Sequence, residues 1–351
     1  MKKLDDSNVR ALLNWYQKNH RSFPWRKKNP DPYHVWLAEV MSQQTQMASL
    51  LPYFYKFLEK FPTVHKLALA SEPQVMSAWA GLGYYSRARN LHKAAMLISK
   101  NGFPKTLEGW IELPGIGPYT AAAVTSQCFG LAEPVWDGNV LRVAARFTAT
   151  QNAYSAEFKT TMLGDLKKRM NSKNASHFNQ ALMELGATVC MPKTVQCQIC
   201  PLESNCAGRK KNPLDYPSVK SRKASIDVHS RSQIFFKNDP KKSMSVLLVR
   251  RQTGDWFSGL WDFPGELGSV GEPVRKFKKI SGKKLGQIKH SITHHRITAE
   301  AWVAKDAGRI QEGKWISLDA LFSENPPVPL ATTAKKLLRI VVRHLDKKIG
   351  E

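Results

Sequence analysis

The sequence predicts a multidomain chain. An all-α part ends in a metal-binding cysteine loop, and a short basic linker leads to a smaller α+β part. Three observations predict this. Apolar residues recur at intervals of three and four between Leu4 and Cys206, as in Leu12, Trp15 and Tyr16, or Val35, Leu37, Val40 and Met41. Beyond Cys206 the period changes to two. Four of the five cysteines crowd into one window, Cys190, Cys197, Cys200 and Cys206. The expected divisions are residues 1–207, a linker over 208–225, and 226–351.

The helical part is punctuated by Pro24, Pro30, Pro32, Pro52, Pro62, Pro73, Gly81, Gly83 and Pro104, which leaves helices of roughly 8–15 residues. In Leu113–Val124, LPGIGPYTAAAV, Gly115 and Gly117 permit a tight turn between two helices, and Pro118 suits the first turn of the second. Backbone N–H groups at such a helix start form an anion site. This matches a helix-hairpin-helix gripping DNA phosphate without reading sequence. An ordinary helix–helix turn is the plainer alternative.

The cysteine spacing is C-x6-C-x2-C-x5-C. A disulfide cluster needs an oxidising compartment. Zinc prefers two C-x2-C knuckles, and only Cys197–Cys200 forms one, so zinc is the secondary reading. The longer, unequal intervals suit a loop around a [4Fe–4S] cube, stiffened by Pro201. Cys128, in an Ala-rich helical stretch, is expected to be a buried small side chain.

The basic, Pro-containing segment after Cys206 reads as the linker. Strands are expected in SQIFF, SMSVLLV, the tract ending GLWDFPG, TAEAWVA and KWISL. A final amphipathic helix places Leu330, Ala334, Leu337, Val341 and Leu345 on one face.

With 53 Lys+Arg against 28 Asp+Glu, the 351 residues carry a net +25, and 42% are hydrophobic, enough for real cores. Such a surplus is usually offset against a polyanion. Nucleic acid is the first candidate and an anionic membrane the second, although proteins that are merely soluble can also be basic. No run approaches the ~20 apolar residues of a spanning helix. MKKLDDSNVR has no apolar stretch behind it, so no secretory signal is expected.

Several motifs together resemble the endonuclease III superfamily of helix-hairpin-helix DNA glycosylases, and within it the MutY-type adenine glycosylases, which remove adenine mispaired with 8-oxoguanine. They are FPWR (Phe23–Arg26), PYHVWLAEVMSQQTQ (Pro32–Gln46), GLGYYSRARNLHKAA (Gly81–Ala95), LPGIGPYT, WDGNVLRV (Trp136–Val143), FNQALMELGATVC (Phe178–Cys190) and the four cysteines. The resemblance spans nearly the whole chain. It implies a [4Fe–4S] cluster on Cys190, Cys197, Cys200 and Cys206.

Cleaving an N-glycosidic bond needs an acid for the departing base and an anion for the developing sugar cation. Glu39 lies among apolar residues in VWLAEVM, where burial would raise its pKa and keep a proton available. As a residue pattern this is evenly matched by a solvent-facing Glu on an amphipathic helix. Asp137 opens DGNVLRV, where an N-cap is the commoner role. The two roles are compatible. The resemblance implies that Glu39 protonates adenine N7 and later activates water. It implies that Asp137 stabilises the oxocarbenium ion or forms a brief adduct with it, and that Asn139 supports Asp137. Tyr119 stands where the pyrimidine-specific relatives carry a lysine. A phenol cannot form the Schiff base that leads to strand cleavage, so the enzyme is expected to be monofunctional.

Flipping adenine from the stack leaves a hole to fill. By the resemblance, Gln43, Gln44 and Thr45 probe the mispair and Tyr84 wedges beside 8-oxoguanine, while Tyr85 is expected in the core. Arg87 and Arg89 could meet phosphates or cap a helix. The part from Ile226 onward resembles the Nudix-like lesion-reading domain of these enzymes, with GLWDFPG (Gly259–Gly265) matching the start of a Nudix pattern. The paired-glutamate box is absent, which disfavours an active Nudix hydrolase. In KHSITHHRIT the lesion contacts align with Ile292, Thr293 and His294; neighbouring His290 and His295 leave the register open. The run Arg275, Lys276, Lys278, Lys279, Lys283, Lys284 and Lys289 could clamp phosphates or be a solvated face.

The expected function is base-excision repair: removal of adenine opposite 8-oxoguanine or guanine in double-stranded DNA. A monomer in a bacterial cytosol or nucleoid, without membrane contact, is expected. The alternatives are an endonuclease III-like glycosylase/lyase for oxidised pyrimidines and a non-catalytic lesion binder.

Overall fold

The computed structural model describes residues 3–43, 45, 47–218, 224–239, 242–252, 255–266, 282–304, 310, 313–323 and 326–349. The chain divides into two compact units, Met1–Lys220 and Ser221–Glu351.

The first unit is helical. Its α-helices are α1 Asp6–Asn19, α2 Pro32–Ser42, α3 Met47–Lys60, α4 Val64–Leu69, α5 Glu72–Ala78, α6 Ser86–Asn101, α7 Leu107–Ile111, α8 Pro118–Phe129, α9 Gly138–Thr148, α10 Ala156–Lys168 and α11 Ala175–Thr188. Side-chain caps fix several starts. Asp5 accepts from the Asn8 N–H, Asp31 from Tyr33, Thr106 from Gly109, and Asp137 from Asn139 and Val140. Proline occupies the first turn of α2 and α8, where its missing N–H costs nothing.

Helix α2 is apolar around its whole circumference: Val35, Trp36, Leu37, Ala38, Val40 and Met41 are all buried. Such a helix runs through a core rather than along a surface. It packs on α8, which in turn packs on α7 and α11. Trp36 meets Trp110 edge to face at 6.0 Å. A second core joins Leu12 and Tyr16 of α1, Ala122 and Ala123 of α8, Val140 and Phe147 of α9, and Phe178, Leu182 and Leu185 of α11, with Cys190, Cys200 and Cys206 against its edge. Each such large apolar side chain contributes about 1.5–3 kcal/mol by burial.

The expected linker starts later than the composition suggested. Residues 208–218 pack onto the helical unit. Tyr216 is buried, its carbonyl accepts from Arg146 Nε at 3.0 Å, and the Ser218 N–H donates to the Gln151 carbonyl at 3.0 Å. Gly208 lies so close to the Arg146 carbonyl oxygen that a Cβ would sit 2.3 Å from it. The segment's basic, Pro-containing composition conceals these backbone contacts.

Among the described residues, the second unit has two four-stranded sheets. With β1 Ile226–Ile234, β2 Phe236–Asp239, β3 Lys242–Arg250, β4 Trp261–Asp262, β5 Gly265–Glu266, β6 Lys284–Ile292, β7 His295–Val303 and β8 Gly313–Ser317, one sheet has the order β5-β1-β7-β6. The other runs β2-β3-β4, with β8 also paired to β3. Strand β1 is parallel to β7, and β6 and β7 form an antiparallel hairpin. Helices α12 Leu318–Phe322 and α13 Thr332–Ile349 complete the unit, with Ala334, Leu337 and Val341 fully buried. Leu330 instead bridges to Trp261 ahead of α13.

Two expectations change here, and one segment gains a defined place. Leu318, the end of KWISL, begins α12 because Ser317 caps it. GLWDFPG contributes only short strand pieces. KHSITHHRIT is the β6–β7 hairpin itself, with only Thr293 and His294 at the turn.

Candidate active site

The site collects on the first turns of α8 and α9, the buried face of α2 and the middle of α11. Glu39 is only 8% exposed, because α2 leaves no solvent-facing side at that point. This settles the even choice between a buried and a solvated Glu39. Its Oε2 accepts from the Tyr119 hydroxyl at 2.9 Å, and that hydroxyl also lies 3.4 Å from Met183 Sδ. Burial raises the Glu39 pKa. The Tyr119 hydrogen bond works against this, the Asp137 charge adds to it, and Gln127 and Arg26 oppose it. Burial likewise pushes the Tyr119 phenol well above its usual range, and the nearby Glu39 and Asp137 add to that.

Asp137 caps α9. Its Oδ1 accepts from the Asn139 and Val140 N–H groups at 2.9 and 2.7 Å, and its Oδ2 from Asn139 Nδ2 at 2.9 Å. The N-cap and the position facing Glu39 are thus the same residue. Asn139 is held in turn: its Oδ1 accepts from Arg142 Nη2 at 2.8 Å, and Arg142 also donates to the Gly186 carbonyl at 2.6 Å and the Cys190 carbonyl at 2.8 Å. Gly186 leaves room for this contact, since a Cβ there would lie 2.6 Å from Asn139 Cβ.

Sequence reading missed Arg142 and two further residues at this site, Glu184 and Arg26. Glu184 is fully buried on α11 and takes Arg21 Nε at 2.6 Å and Arg26 Nη1 at 3.0 Å. Burial alone would raise its carboxyl, but the hydrogen bond from Arg21 and the charges of Arg26 and Arg21 bring it below the usual range. Arg26 lies within electrostatic reach of both Glu39 and Tyr119. The signals were present: Arg26 closes the FPWR motif, and Glu184 is a lone acid in an apolar helix.

Among the expected mispair contacts, the Gln43 side chain donates to Thr120 Oγ1 at 3.4 Å, beside Tyr119. Thr45 Oγ1 is buried without a hydrogen-bond partner among the described residues. Gln44 lies outside the described residues. Tyr84 is 43% exposed at φ +46°, and Tyr85 is half-buried at the start of α6 rather than in the core. Arg87 caps the end of α2 and the Tyr84 turn, which decides between its two expected roles. Gly115 (φ +75°) and Gly117 are exposed at the hairpin, and a Cβ on Gly115 would sit 2.6 Å from Asn90 Cβ.

Cys190, Cys197, Cys200 and Cys206 line one pocket together with Arg146 and Arg209. Arg146 fastens it, donating to Cys190 Sγ at 3.3 Å and to the Met191 carbonyl at 2.7 Å. Burial pushes the Cys200 thiol up to about 12, and its neighbours Cys190, Cys206 and Cys197 add to the rise. Among the described residues no three His, Cys, Asp or Glu side chains are grouped to hold a single metal ion. Cys128 is half-buried at the end of α8, not fully buried as expected, and burial pushes it up to about 12.

In the second unit, Thr293 and His294 form the tip of the β6–β7 hairpin, and Ile292 ends β6. Thr293 has φ +52°, and its hydroxyl donates to the Ile292 carbonyl at 2.7 Å. The His294 and His295 rings lie with centroids 4.1 Å apart, tilted by 38°, and His290 packs near Phe257. Lys283, Lys284 and Lys289 are exposed, and Lys284 pairs with Glu300. Arg275, Lys276, Lys278 and Lys279 lie outside the described residues.

The family model described as HhH-GPD superfamily base excision DNA repair protein matches residues 37–163, and the NUDIX domain model matches 240–339. An adenine DNA glycosylase of Buchnera aphidicola (strain Bp) is 33% identical over 81% of this chain and 82% of its own length. The rat adenine DNA glycosylase is 29% identical over 95% of this chain and 78% of its own. The solved structure of a thermostable thymine-DNA glycosylase superposes with TM-score 0.53 at 23% identity, over 58% of this chain and 95% of that one, and so shares the fold of the helical unit. The extent of these likenesses, across both units, places the chain in the adenine DNA glycosylase family.

Proposed function

We propose that this chain hydrolyses the N-glycosidic bond of adenine mispaired with 8-oxoguanine, or with guanine, in double-stranded DNA, without strand cleavage. The observation that carries this reading is the buried Glu39 carboxyl, raised by desolvation and hydrogen-bonded to a phenol rather than to an amine. A carboxyl whose pKa is raised holds its proton to higher pH than an ordinary glutamate and can pass it to the departing base. Asp137, already held by two backbone N–H groups and by Asn139, presents its charge to the developing sugar cation without reorganising. Arg26, tied to Glu184, offers hydrogen-bond donors beside the acid. With Tyr119 in the hairpin there is no nucleophilic amine there to form an imine, which supports a monofunctional hydrolase over a lyase.

Thr293 and His294, at a hairpin tip held in a left-handed backbone conformation, are suited to meeting the base opposite. The +25 charge contributes salt-sensitive affinity for any duplex. The exposed Gly115–Gly117 hairpin supplies a backbone grip on phosphate.

The four cysteines share one pocket, and their long, unequal spacing, with a single C-x2-C knuckle, supports a [4Fe–4S] cluster over a single zinc ion. Cys190, Cys197, Cys200 and Cys206 would supply the four thiolate ligands, and a bound cluster would tie the 190–206 loop together through them. Iron and sulfide analysis with the visible spectrum of the purified chain tests this; one zinc per chain would exclude it.

The function is tested on a duplex with adenine opposite 8-oxoguanine by identifying the released base chromatographically, in parallel with borohydride treatment. Free adenine and no trapped protein–DNA adduct are expected. Efficient trapping, or binding with no base released, would overturn the reading.

A further inference from the structure

Arg87 lies in the first turn of α6, three residues after Tyr84. Its Nη1 donates to three carbonyls at the end of α2: Val40 at 2.8 Å, Met41 at 3.1 Å and Gln43 at 2.6 Å. Its Nη2 donates to Leu82 at 3.0 Å and Gly83 at 3.2 Å, the two residues before Tyr84. The guanidinium carbon lies 5.3 Å from the Trp79 ring centroid and 5.7 Å from that of Tyr84.

Each contact has a physical reason. The last carbonyls of a helix lack intrahelical partners and carry the negative end of its dipole, so they favour a cation. A planar fork can serve two backbone segments at once, which a lysine ammonium cannot do with the same geometry. Tyr84 is not a glycine, yet it holds φ +46° with its ring exposed, so surrounding contacts must maintain the turn. A guanidinium that spends its terminal nitrogens on five carbonyls is committed to the protein rather than to phosphate. Val40, the first of those carbonyls, follows Glu39 directly.

We propose that Arg87 is a positioning residue that couples the Tyr84 turn to the C-terminal end of α2, so that the fit of Tyr84 and Gln43 against the opposite base sets the placement of Glu39. The proposal rests on the reading of Glu39 as the acid. It assigns discrimination between opposite bases to a half-buried link whose hydrogen bonds are spent within the protein.

The test uses the full chain, with Arg87→Lys, Arg87→Gln, Tyr84→Ala and the Arg87→Lys/Tyr84→Ala double variant. Single-turnover adenine release is measured opposite 8-oxoguanine and opposite guanine, with duplex affinity measured separately. Arg87→Lys should slow release opposite 8-oxoguanine by about 10- to 100-fold, the scale of a small misplacement of a catalytic group, and shrink the preference over guanine. Its affinity for undamaged duplex should stay within about 2-fold, because the salt-dependent phosphate contacts remain. The double variant should be within about 3-fold of the slower single one, since both remove the same coupling.

Effects that multiply in the double variant, or equal losses opposite both bases, would overturn the proposal. If neither Arg87→Lys nor Arg87→Gln gives a folded protein by circular dichroism, Arg87 is a folding residue and the proposal also falls. A wild type that releases no adenine refutes the proposed function. An active wild type with multiplying effects refutes only the coupling.

Discussion

Replacing Glu39 by Gln tests burial, protonation and chemistry at one position. The folded-state pKa of Glu39 is raised from an ordinary carboxylate value of 4.5, with burial as the first cause. The sign follows from linkage. Below the ordinary value both folded and unfolded chains hold the proton, and Glu39 costs nothing. As pH rises above it, the unfolded chain loses the proton while the folded chain keeps it. Stability then falls by up to about 1.4 kcal/mol per pH unit until the pH passes the raised value, and is flat beyond. Glutamine has no proton to lose, and its amide oxygen can still accept from Tyr119. The stability difference between variant and wild type should therefore grow in favour of Glu39→Gln from pH 4.5 upward. Denaturant unfolding of both proteins at half-unit pH steps measures it. Adenine release by the variant should fall by about 100- to 10,000-fold, the range for losing a general acid, with duplex binding preserved. A stability difference that does not vary with pH would refute the desolvated acid, and near-normal turnover would refute its role.

Three further outcomes follow from the same geometry. Tyr119→Phe removes a bond that lowers the Glu39 pKa, so the alkaline fall in the rate–pH profile should move to higher pH, with activity retained. Asn139→Ala removes the bond to Asp137 and leaves Arg142 without one acceptor; the single-turnover rate should drop by about 10- to 100-fold, equivalent to about 1.5–3 kcal/mol for a bond to a charged group. Gly115→Ala places a Cβ against Asn90 in a left-handed backbone conformation; it should lower stability by about 1–3 kcal/mol and weaken binding to all duplexes alike, measured by thermal unfolding and anisotropy.

Much of this site was legible in the sequence, and the parts that were not have identifiable causes. Glu39 stood evenly between buried and exposed because flanking apolar residues fit both readings. The decisive sign is that residues 35–38 and 40–41 are apolar without a polar face, as in a helix enclosed by protein. Asp137 was legible as a cap, which its two backbone hydrogen bonds bear out, and the proposed catalytic role falls on that same carboxylate.

Arg26, Glu184 and Arg142 escaped because their partners are distant in sequence: Arg26 and Glu184 are 158 residues apart, and Arg142 and Cys190 are 48 apart. Local signals mark Arg26, at the end of FPWR, and Glu184, a lone acid in an apolar helix, but they do not mark one as the partner of the other. Strand β6 was hidden by Lys284, Lys289 and His290, on a strand whose residues are either exposed or only half-buried. The early linker boundary failed because backbone carbonyls, not apolar side chains, hold much of 208–218.

The most direct test of the whole account uses one duplex carrying adenine opposite 8-oxoguanine. After incubation with the full chain the sample is divided, and half is treated with hot alkali. The buried acid paired with Tyr119 predicts a break at the adenine in the alkali-treated half alone. A break in the untreated half, or none in either, would contradict it.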